Sequence, residues 1–336
     1  MTLPATGPVT GLDREPSSPI AQEPSARLKF GDPNITANGE RRARVEFRAY
    51  ETLWFNTGTL CNIACRGCYI ESSPKNDRLA YLSLAEVEAF LDEAERLSPS
   101  PSEIGFTGGE PFMNPDIVSM LEAALARGFQ ALVLTNAMKP MQHLKSTLLN
   151  LNRRYQGQLS IRVSLDHYRG ELHEEIRGPR TWEPSIDGLT WLAKNGFDIA
   201  VAGRLAWGEG EAATRSGYGA LFAELGLPIS ANDSRSLVLF PEMDGRADVP
   251  EITERCWGIL GKSPADVMCS NSRMVIKRKG AERPAVVSCT LLAYAPDFEM
   301  GATLAEAARS VSLNHRHCAR FCVLGGATCS TRAGRE

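Results

Sequence analysis

The sequence predicts an α/β protein whose main sheet is parallel, followed by a small α+β domain rich in cysteine. Three observations carry this. Six short apolar runs alternate strictly with helical patterns between residue 48 and about residue 240, and such alternation implies parallel strands joined by right-handed crossovers. One run, Ala131-Leu132-Val133-Leu134, is apolar throughout, as expected of a strand covered on both faces. Of nine cysteines, three fall in the loop after the first strand and six lie beyond residue 255, which marks a second module. Residues 1–47 then read as a disordered or strap-like segment, 48–250 as the α/β core and 251–336 as the cysteine-bearing domain.

Taken in order, residues 1 to about 40 are rich in Pro, Ser, Thr and Gly and lack periodicity, so they read as a tail or strap. Arg41-Arg42-Ala43-Arg44 has no apolar run after it and reads as a solvated basic segment. Leu53–Asn56 is the first strand and feeds straight into the cysteine loop. Ser83-Leu84-Ala85-Glu86 is a capping box that opens a helix with Val87, Phe90, Leu91, Ala94 and Leu97 on its apolar face. Ile104–Thr107 is the second strand, and Asn114-Pro115-Asp116 starts a helix that stops at Gly128. The third strand is followed by a helix over roughly 139–152. The fourth strand, Leu159–Val163, precedes a helix over roughly 182–195. The fifth, Asp198–Ala202, precedes one over roughly 211–225, and Ser236–Phe240 is the sixth strand. A closed eight-stranded barrel takes about 250 residues, more than these six units occupy. An open partial barrel and a flat doubly wound sheet both satisfy the pattern, and either one places its site at the C-terminal ends of the strands.

The chemistry concentrates in Cys61-Asn62-Ile63-Ala64-Cys65-Arg66-Gly67-Cys68-Tyr69. Three thiolates spaced C-x3-C-x2-C can ligate one centre from a single loop, and soft sulfur ligands select iron–sulfur clusters, zinc or Cu(I). A mononuclear structural zinc site wants four ligands, commonly as two pairs. Three in one run suit a four-iron cluster with one iron left open. The stretch, with its aromatic residue after the third cysteine, resembles the signature of the radical S-adenosylmethionine (radical SAM) superfamily. The resemblance implies a partial (β/α)6 TIM-like barrel with a small C-terminal α+β iron–sulfur domain. It also implies a [4Fe-4S] cluster on Cys61, Cys65 and Cys68 whose open iron chelates S-adenosylmethionine and cleaves it to a 5′-deoxyadenosyl radical.

Further motifs extend the likeness. Thr107-Gly108-Gly109-Glu110-Pro111 follows the second strand, where glycines let a ligand approach the backbone. It resembles the family's GGEP motif, which implies that Gly108, Gly109, Glu110 and Pro111 receive the cofactor's amino group. Thr135-Asn136 stands where such proteins often carry Asn-Gly, with Ala137 in place of the glycine, and Tyr69 and Asn136 are expected beside the cofactor. Ser164-Leu165-Asp166 and His173-Glu174-Glu175-Ile176-Arg177-Gly178 resemble the subgroup with a SPASM or Twitch extension. There the serine contacts the cofactor and the arginine pairs with its carboxylate, which implies these roles for Ser164 and Arg177. Asp166 and His167 are candidates for a catalytic acid–base pair. Arg204, Glu242 and Asp244 follow the last two strands and are expected to face the cavity, with ordinary loop charges as the favoured reading.

Beyond Cys269, a strand, a basic turn at Lys277-Arg278-Lys279-Gly280 and a returning strand to Cys289 make a hairpin that brings the two cysteines together. A helix over 304–311 and His317-Cys318-Ala319-Arg320-Phe321-Cys322 follow. The order resembles the Twitch form, which implies a second [4Fe-4S] cluster on Cys269, Cys289, Cys318 and Cys322, with Cys329 as an alternative ligand. Zinc with His315 or His317 is the rival, and Cys256 reads as a buried thiol.

A net charge of −3 gives no case for nucleic acid or anionic lipid. No apolar run is long enough to span a bilayer, and the N-terminus shows no secretory signal. A reducing, cytoplasmic setting with metal-bound cysteines is expected. The sequence thus predicts a radical SAM enzyme of oxidoreductase or maturase type. It would take electrons from a donor such as flavodoxin or ferredoxin and oxidatively modify a peptide or a small molecule. A non-catalytic iron–sulfur or zinc adaptor is the alternative.

Overall fold

The computed structural model describes residues 28–242 and 247–326; the expected tail over residues 1–27 lies outside the described residues. The strands in chain order are β1 (Arg44–Val45), β2 (Thr52–Asn56), β3 (Glu103–Thr107), β4 (Gln130–Thr135), β5 (Leu159–Ser164), β6 (Asp198–Leu205), β7 (Leu237–Pro241), β8 (Ser272–Ile276), β9 (Ala285–Val287), β10 (Glu299–Gly301) and β11 (Val311–Ser312). The helices are α1 (Leu84–Glu95), α2 (Ile117–Ala126), α3 (Lys139–Gln142), α4 (Lys145–Arg154), α5 (Gly170–Arg177), α6 (Trp182–Lys194), α7 (Glu211–Glu224), α8 (Cys256–Leu260) and α9 (Leu304–Ala307).

One sheet runs in the order β10-β9-β8-β2-β3-β4-β5-β6-β7. From β8 through β7 all neighbours are parallel, while β9 and β10 return antiparallel. Its two end strands do not pair with each other, so the barrel stays open. The C-terminal hairpin is part of this sheet, because β8 docks along the outer edge of β2. An uncovered β2 would leave a row of unpaired backbone groups. Packing between neighbours is tight enough to dictate residue types. Trp54 on β2 stands opposite Gly105 on β3, and a Cβ at Gly105 would lie 2.6 Å from an indole carbon.

The capping box forms as expected, with Ser83 N–H donating to Glu86 Oε2 at 2.9 Å and the Ser83 side chain accepting from Glu86 N–H. Asp116 does not cap its own helix; its carboxylate instead accepts from Leu84 N–H at the start of α1. The helix expected over 139–152 is broken into α3 and α4. The last turn of α3 tightens, Leu144 N–H bonding back to Met141 O at 2.9 Å, which ends the regular ladder. The helix expected over 304–311 stops at Ala307, because Val311 is taken into a two-strand ladder opposite Val45.

The basic segment before the sheet is solvated only in part: Arg41 and Arg44 are exposed, whereas Arg42 is buried. Arg42 is 1% exposed and its guanidinium meets Glu251 at 2.6 Å. Asp32 O and Ile35 O accept from the same guanidinium, and Glu251 also accepts from Phe30 and Ala37 N–H. Residues 28–47 are therefore a strap cinched around one buried ion pair, which holds them against residues 249–254 and against Leu313. Among the described residues no helix is long and apolar enough to cross a membrane.

Candidate active site

Loops at the C-terminal ends of β2 to β6 enclose a cavity of about 170 Å³. The three thiols of the first loop line it, and the loop is fixed from several sides. Cys61 N–H donates to Ser73 O at 3.1 Å, and Arg66 N–H donates to Ile176 O at 2.7 Å. Gly67 adopts a left-handed φ of 71°, which a glycine takes without strain. The Arg66 side chain reaches Glu175 at 2.6 Å. Burial pushes Cys61 up to about 12 and raises Cys65. As free thiols they are held protonated and inert, and a metal is what would draw the protons off.

The Gly108-Gly109 turn lies directly on this loop. Gly109 N–H bonds Gly58 O at 2.8 Å and Glu110 N–H bonds Leu60 O at 3.1 Å. A Cβ at Gly109 would come within 2.6 Å of the Leu60 carbonyl carbon, and Gly108 has φ 145°. Both glycines border the cavity. Those two N–H groups are taken, and an incoming amine, itself a donor, asks for acceptors instead. Glu110 and Pro111, expected as cofactor contacts, stand behind the cavity wall. Glu110 is 1% exposed and accepts from Thr135 Oγ1 (2.8 Å), Asn136 N–H (2.9 Å) and Phe112 N–H (3.2 Å). Burial raises its pKa to about 7. Pro111 starts a short 3₁₀ turn whose backbone Glu110 caps. Through its bond to Asn136 N–H, Glu110 ties the wall to the cysteine loop, where Asn136 Nδ2 donates to Asn62 Oδ1 at 2.8 Å.

Tyr69, Asn136, Ser164, Asp166 and Arg177 all border the cavity. Asp166 is not half of an acid–base pair. Its carboxylate is held by Arg177 Nε at 2.8 Å and Arg204 Nε at 3.1 Å. Burial alone would raise its pKa, but the two guanidiniums override that and hold it below the ordinary carboxylate value. His167 does not line the cavity. Its ring lies between Tyr168 (4.1 Å) and Trp207 (4.7 Å), its Nδ1 accepts from Arg169 N–H, and Nε2 is 3.4 Å from Glu209. Arg177, expected on the cofactor carboxylate, turns its Nε–Nη2 edge to Asp166, which leaves Nη1 for another acceptor.

Arg204 is a site residue that the sequence placed at the cavity but whose charge read as an ordinary one. It bonds Asp166, donates from Nη1 to Gly67 O at 3.4 Å, and lies over the Tyr69 ring at 5.4 Å. The available signal was alternation: Ala202 and Arg204 share the face of β6 that lines the cavity. Glu242 does not line the cavity, and its carbonyl accepts from Arg320 Nε at 2.6 Å. Asp244 lies outside the described residues.

At the other end, Cys269, Cys289, Cys318 and Cys322 border one apolar pocket together with His317. Burial, then the neighbouring thiols, pushes Cys269 up to about 12 and lifts Cys318 as well. His315 is not on that pocket, and its ring meets His317 edge-on at 4.5 Å. Cys329 lies outside the described residues, and the described cysteines are all unbridged. Among the described residues no three His, Cys, Asp or Glu side chains are placed to hold a single metal ion. A four-iron cluster does not ask for that convergence, since each thiolate takes a different iron. Both sets of thiols are compatible with that arrangement. At the first set, two buried guanidiniums also stand ready to balance an anionic group.

Comparison with known proteins places this arrangement. Residues 55–211 match the Radical SAM superfamily. The chain is 28% identical over 146 residues to the antilisterial bacteriocin subtilosin biosynthesis protein AlbA of Bacillus subtilis, covering 42% of this chain and 30% of that protein. It is 29% identical over 137 residues to the mycofactocin maturase MftC of Mycobacterium tuberculosis, covering 41% and 33%. The aligned stretch thus spans about a third of these relatives' length. Streptococcus suis SuiB, solved bound to S-adenosylmethionine, shares the fold with a TM-score of 0.53 at 13% identity, over 76% of this chain and 63% of that one. The open sheet is accordingly the partial barrel seen in such enzymes, and residues 55–211 are similar to the Radical SAM superfamily, whose members use a [4Fe-4S] cluster and S-adenosylmethionine.

Proposed function

We propose that the chain is a radical SAM maturase that oxidatively modifies a peptide, with its catalytic cluster on Cys61, Cys65 and Cys68 and a second cluster on Cys269, Cys289, Cys318 and Cys322. One observation carries the reading: the three thiols of a single loop, the Gly108-Gly109 turn and the Asp166–Arg177–Arg204 network converge on one cavity at the mouth of the barrel. Bound there and reduced by one electron from a flavodoxin- or ferredoxin-type donor, the cluster and S-adenosylmethionine supply a 5′-deoxyadenosyl radical. The chain's own residues do the rest. Arg177 and Arg204 balance negative charge, and Asp166 keeps both guanidiniums in place. Ser164 and Asn136 offer hydrogen bonds to a polar ligand, and Gly108 and Gly109 let its amino end approach the backbone. Tyr69, Phe240 and Leu291 wall the cavity against water. A peptide substrate is favoured by SuiB, which shares the fold and has been solved bound to the precursor peptide SuiA. In this reading residues 48–250 are the catalytic core and 251–336 the auxiliary-cluster region, set in a cytoplasmic, reducing milieu.

Anaerobic reconstitution tests this. About eight irons per chain are expected, two four-iron clusters, with 5′-deoxyadenosine formed from S-adenosylmethionine and dithionite and lost in Cys65→Ala. A protein that takes up zinc alone and forms no 5′-deoxyadenosine would be an adaptor instead.

A further inference from the structure

The two cysteine constellations are joined through few side chains: Leu291 lines both the cavity and the C-terminal pocket, and Phe321 reaches two walls of the cavity from the segment that carries Cys318 and Cys322. Residues Cys318–Leu324 form a single π-helical stretch, a conformation that is rare and concentrates at functional sites. Cys318 and Cys322 on it border the C-terminal pocket. Phe321, between them, is fully buried. Its ring meets Tyr69 edge-on at 6.1 Å and Phe240 at 5.2 Å. Both of those rings line the cavity of the proposed catalytic site, and Tyr69 directly follows Cys68. On its other contact Tyr69 carries the Arg204 guanidinium at 5.4 Å. The π-helical stretch is tied to the end of β7 by Arg320 Nε and Glu242 O at 2.6 Å, and a Cβ at Gly325 would lie 2.8 Å from Pro241. Aromatic pairs at these separations fix relative orientation as well as burying area.

We propose that Phe321 is a positioning residue. It sets Tyr69 and Phe240, two walls of the S-adenosylmethionine cavity, and thereby couples metal occupancy of the C-terminal cysteines to cofactor binding about the first loop. The coupling rests on the reading above that Cys318 and Cys322 bind metal; the support of Tyr69 and Phe240 by Phe321 does not. The physical basis is that the stretch has one ring buried against the first site and two thiols at the second. Whatever orders its backbone through the thiols also orders the ring.

The test is S-adenosylmethionine affinity of the anaerobically reconstituted full chain, read by equilibrium binding and by the change in the reduced cluster's electron paramagnetic resonance spectrum on adding cofactor. Phe321→Leu keeps an apolar side chain and should fold, checked by circular dichroism, while weakening S-adenosylmethionine binding about five- to tenfold. Cys318→Ala/Cys322→Ala should weaken binding in the parent and add nothing in the Phe321→Leu background, since members of one coupled unit are not additive. Tyr69→Leu combined with Phe321→Leu should likewise fall short of the sum. Affinity of Phe321→Leu within about twofold of the parent, or an undiminished cysteine effect in its background, overturns the proposal. An iron content near four per chain in the parent would instead overturn the second cluster, and the Phe321→Leu and Tyr69→Leu arms would still decide whether the ring positions the cavity.

Discussion

The two cysteine constellations differ in how they are made. Cys61, Cys65 and Cys68 sit within eight residues of one loop, and local spacing brings them together. The C-terminal four are spread over more than fifty residues, and tertiary structure must assemble them. Cys269 precedes β8, which is held by the edge of β2 some 220 positions earlier in the chain; Cys289 follows β9; Cys318 and Cys322 ride on the π-helical stretch. A local site tolerates disturbance of the fold far better than an assembled one, because ordering its ligands requires closing only short loops.

The largest expected effect comes from removing one ligand at each site. Cys65→Ala should abolish 5′-deoxyadenosine formation while about four irons remain, those of the second cluster. Cys289→Ala should show the same iron loss yet keep formation of 5′-deoxyadenosine. Iron assay and product chromatography on the two variants decide this, and equal loss of both clusters in each would dissolve the distinction.

Next in size is the strap. Glu251→Ala leaves the Arg42 guanidinium buried without its carboxylate, and breaking a buried pair from one side costs about 3–5 kcal/mol. Arg42 also donates to Leu313 O, close to the cysteine pair at 318 and 322. The variant should therefore melt lower by thermal denaturation and lose iron from the assembled site before the local one.

These consequences mirror what could be read in the sequence. The first loop, the glycine turn after β3 and the capping box at Ser83 are written in contiguous residues whose spacing carries their geometry. The Arg42–Glu251 pair joins residues 209 positions apart, and no periodicity encodes it, so Arg42 looked like a surface charge. Arg204 looked like another for the same reason: its partner, Asp166, lies 38 positions earlier, at the end of the neighbouring strand. The docking of β8 on β2 was equally hidden, because edge-to-edge pairing depends on register between distant segments and not on either strand's pattern. The short helix α5 falls in a stretch read only for its motif. Its His173 and Ile176 are its two buried residues, three positions apart, too few to announce a helix.

His173 supplies a smaller and pH-dependent effect on the catalytic side. It is fully buried, its ring packs on Trp182 at 5.4 Å, and neither ring nitrogen has a hydrogen-bond partner. Burial first, then the Arg177 charge, pulls its pKa from 6.5 to about 3. With a folded pKa below the unfolded one, the unfolded chain takes up the proton first. Stability is then fully present above about pH 6.5 and falls as the pH drops toward about 3. His173→Phe keeps an aromatic ring there and should flatten that acid limb. Chemical denaturation of parent and variant at neutral and mildly acid pH measures the difference, from which the other titrating groups cancel. Because α5 also carries Glu175 and Ile176, which hold Arg66, the local site should loosen over the same window in the parent only.

The smallest effect tests whether the local site is as forgiving as its construction suggests. Ala137 adopts a left-handed φ of 57° and is fully buried. That conformation costs a residue with a Cβ about 1–2 kcal/mol. Glycine relieves it, but it loses the buried methyl, worth about 0.8 kcal/mol, and gains freedom in the unfolded chain, worth about 0.4–1 kcal/mol. The terms nearly cancel, so Ala137→Gly should shift the unfolding free energy by less than about 1 kcal/mol. Asn136 should keep its bonds to Glu110 and Asn62, and S-adenosylmethionine affinity should stay within about twofold of the parent. The reverse change across the same contact is not forgiving. A Cβ at Gly188 on α6 would lie 2.9 Å from the Ala137 Cβ and press on its carbonyl, so Gly188→Ala must displace the turn that carries Asn136. Overpacking of this kind costs about 1–3 kcal/mol, and here it should also weaken cofactor binding. If Ala137→Gly proved the more damaging of the two, the turn would owe its shape to the methyl group and not to the helix packed against it.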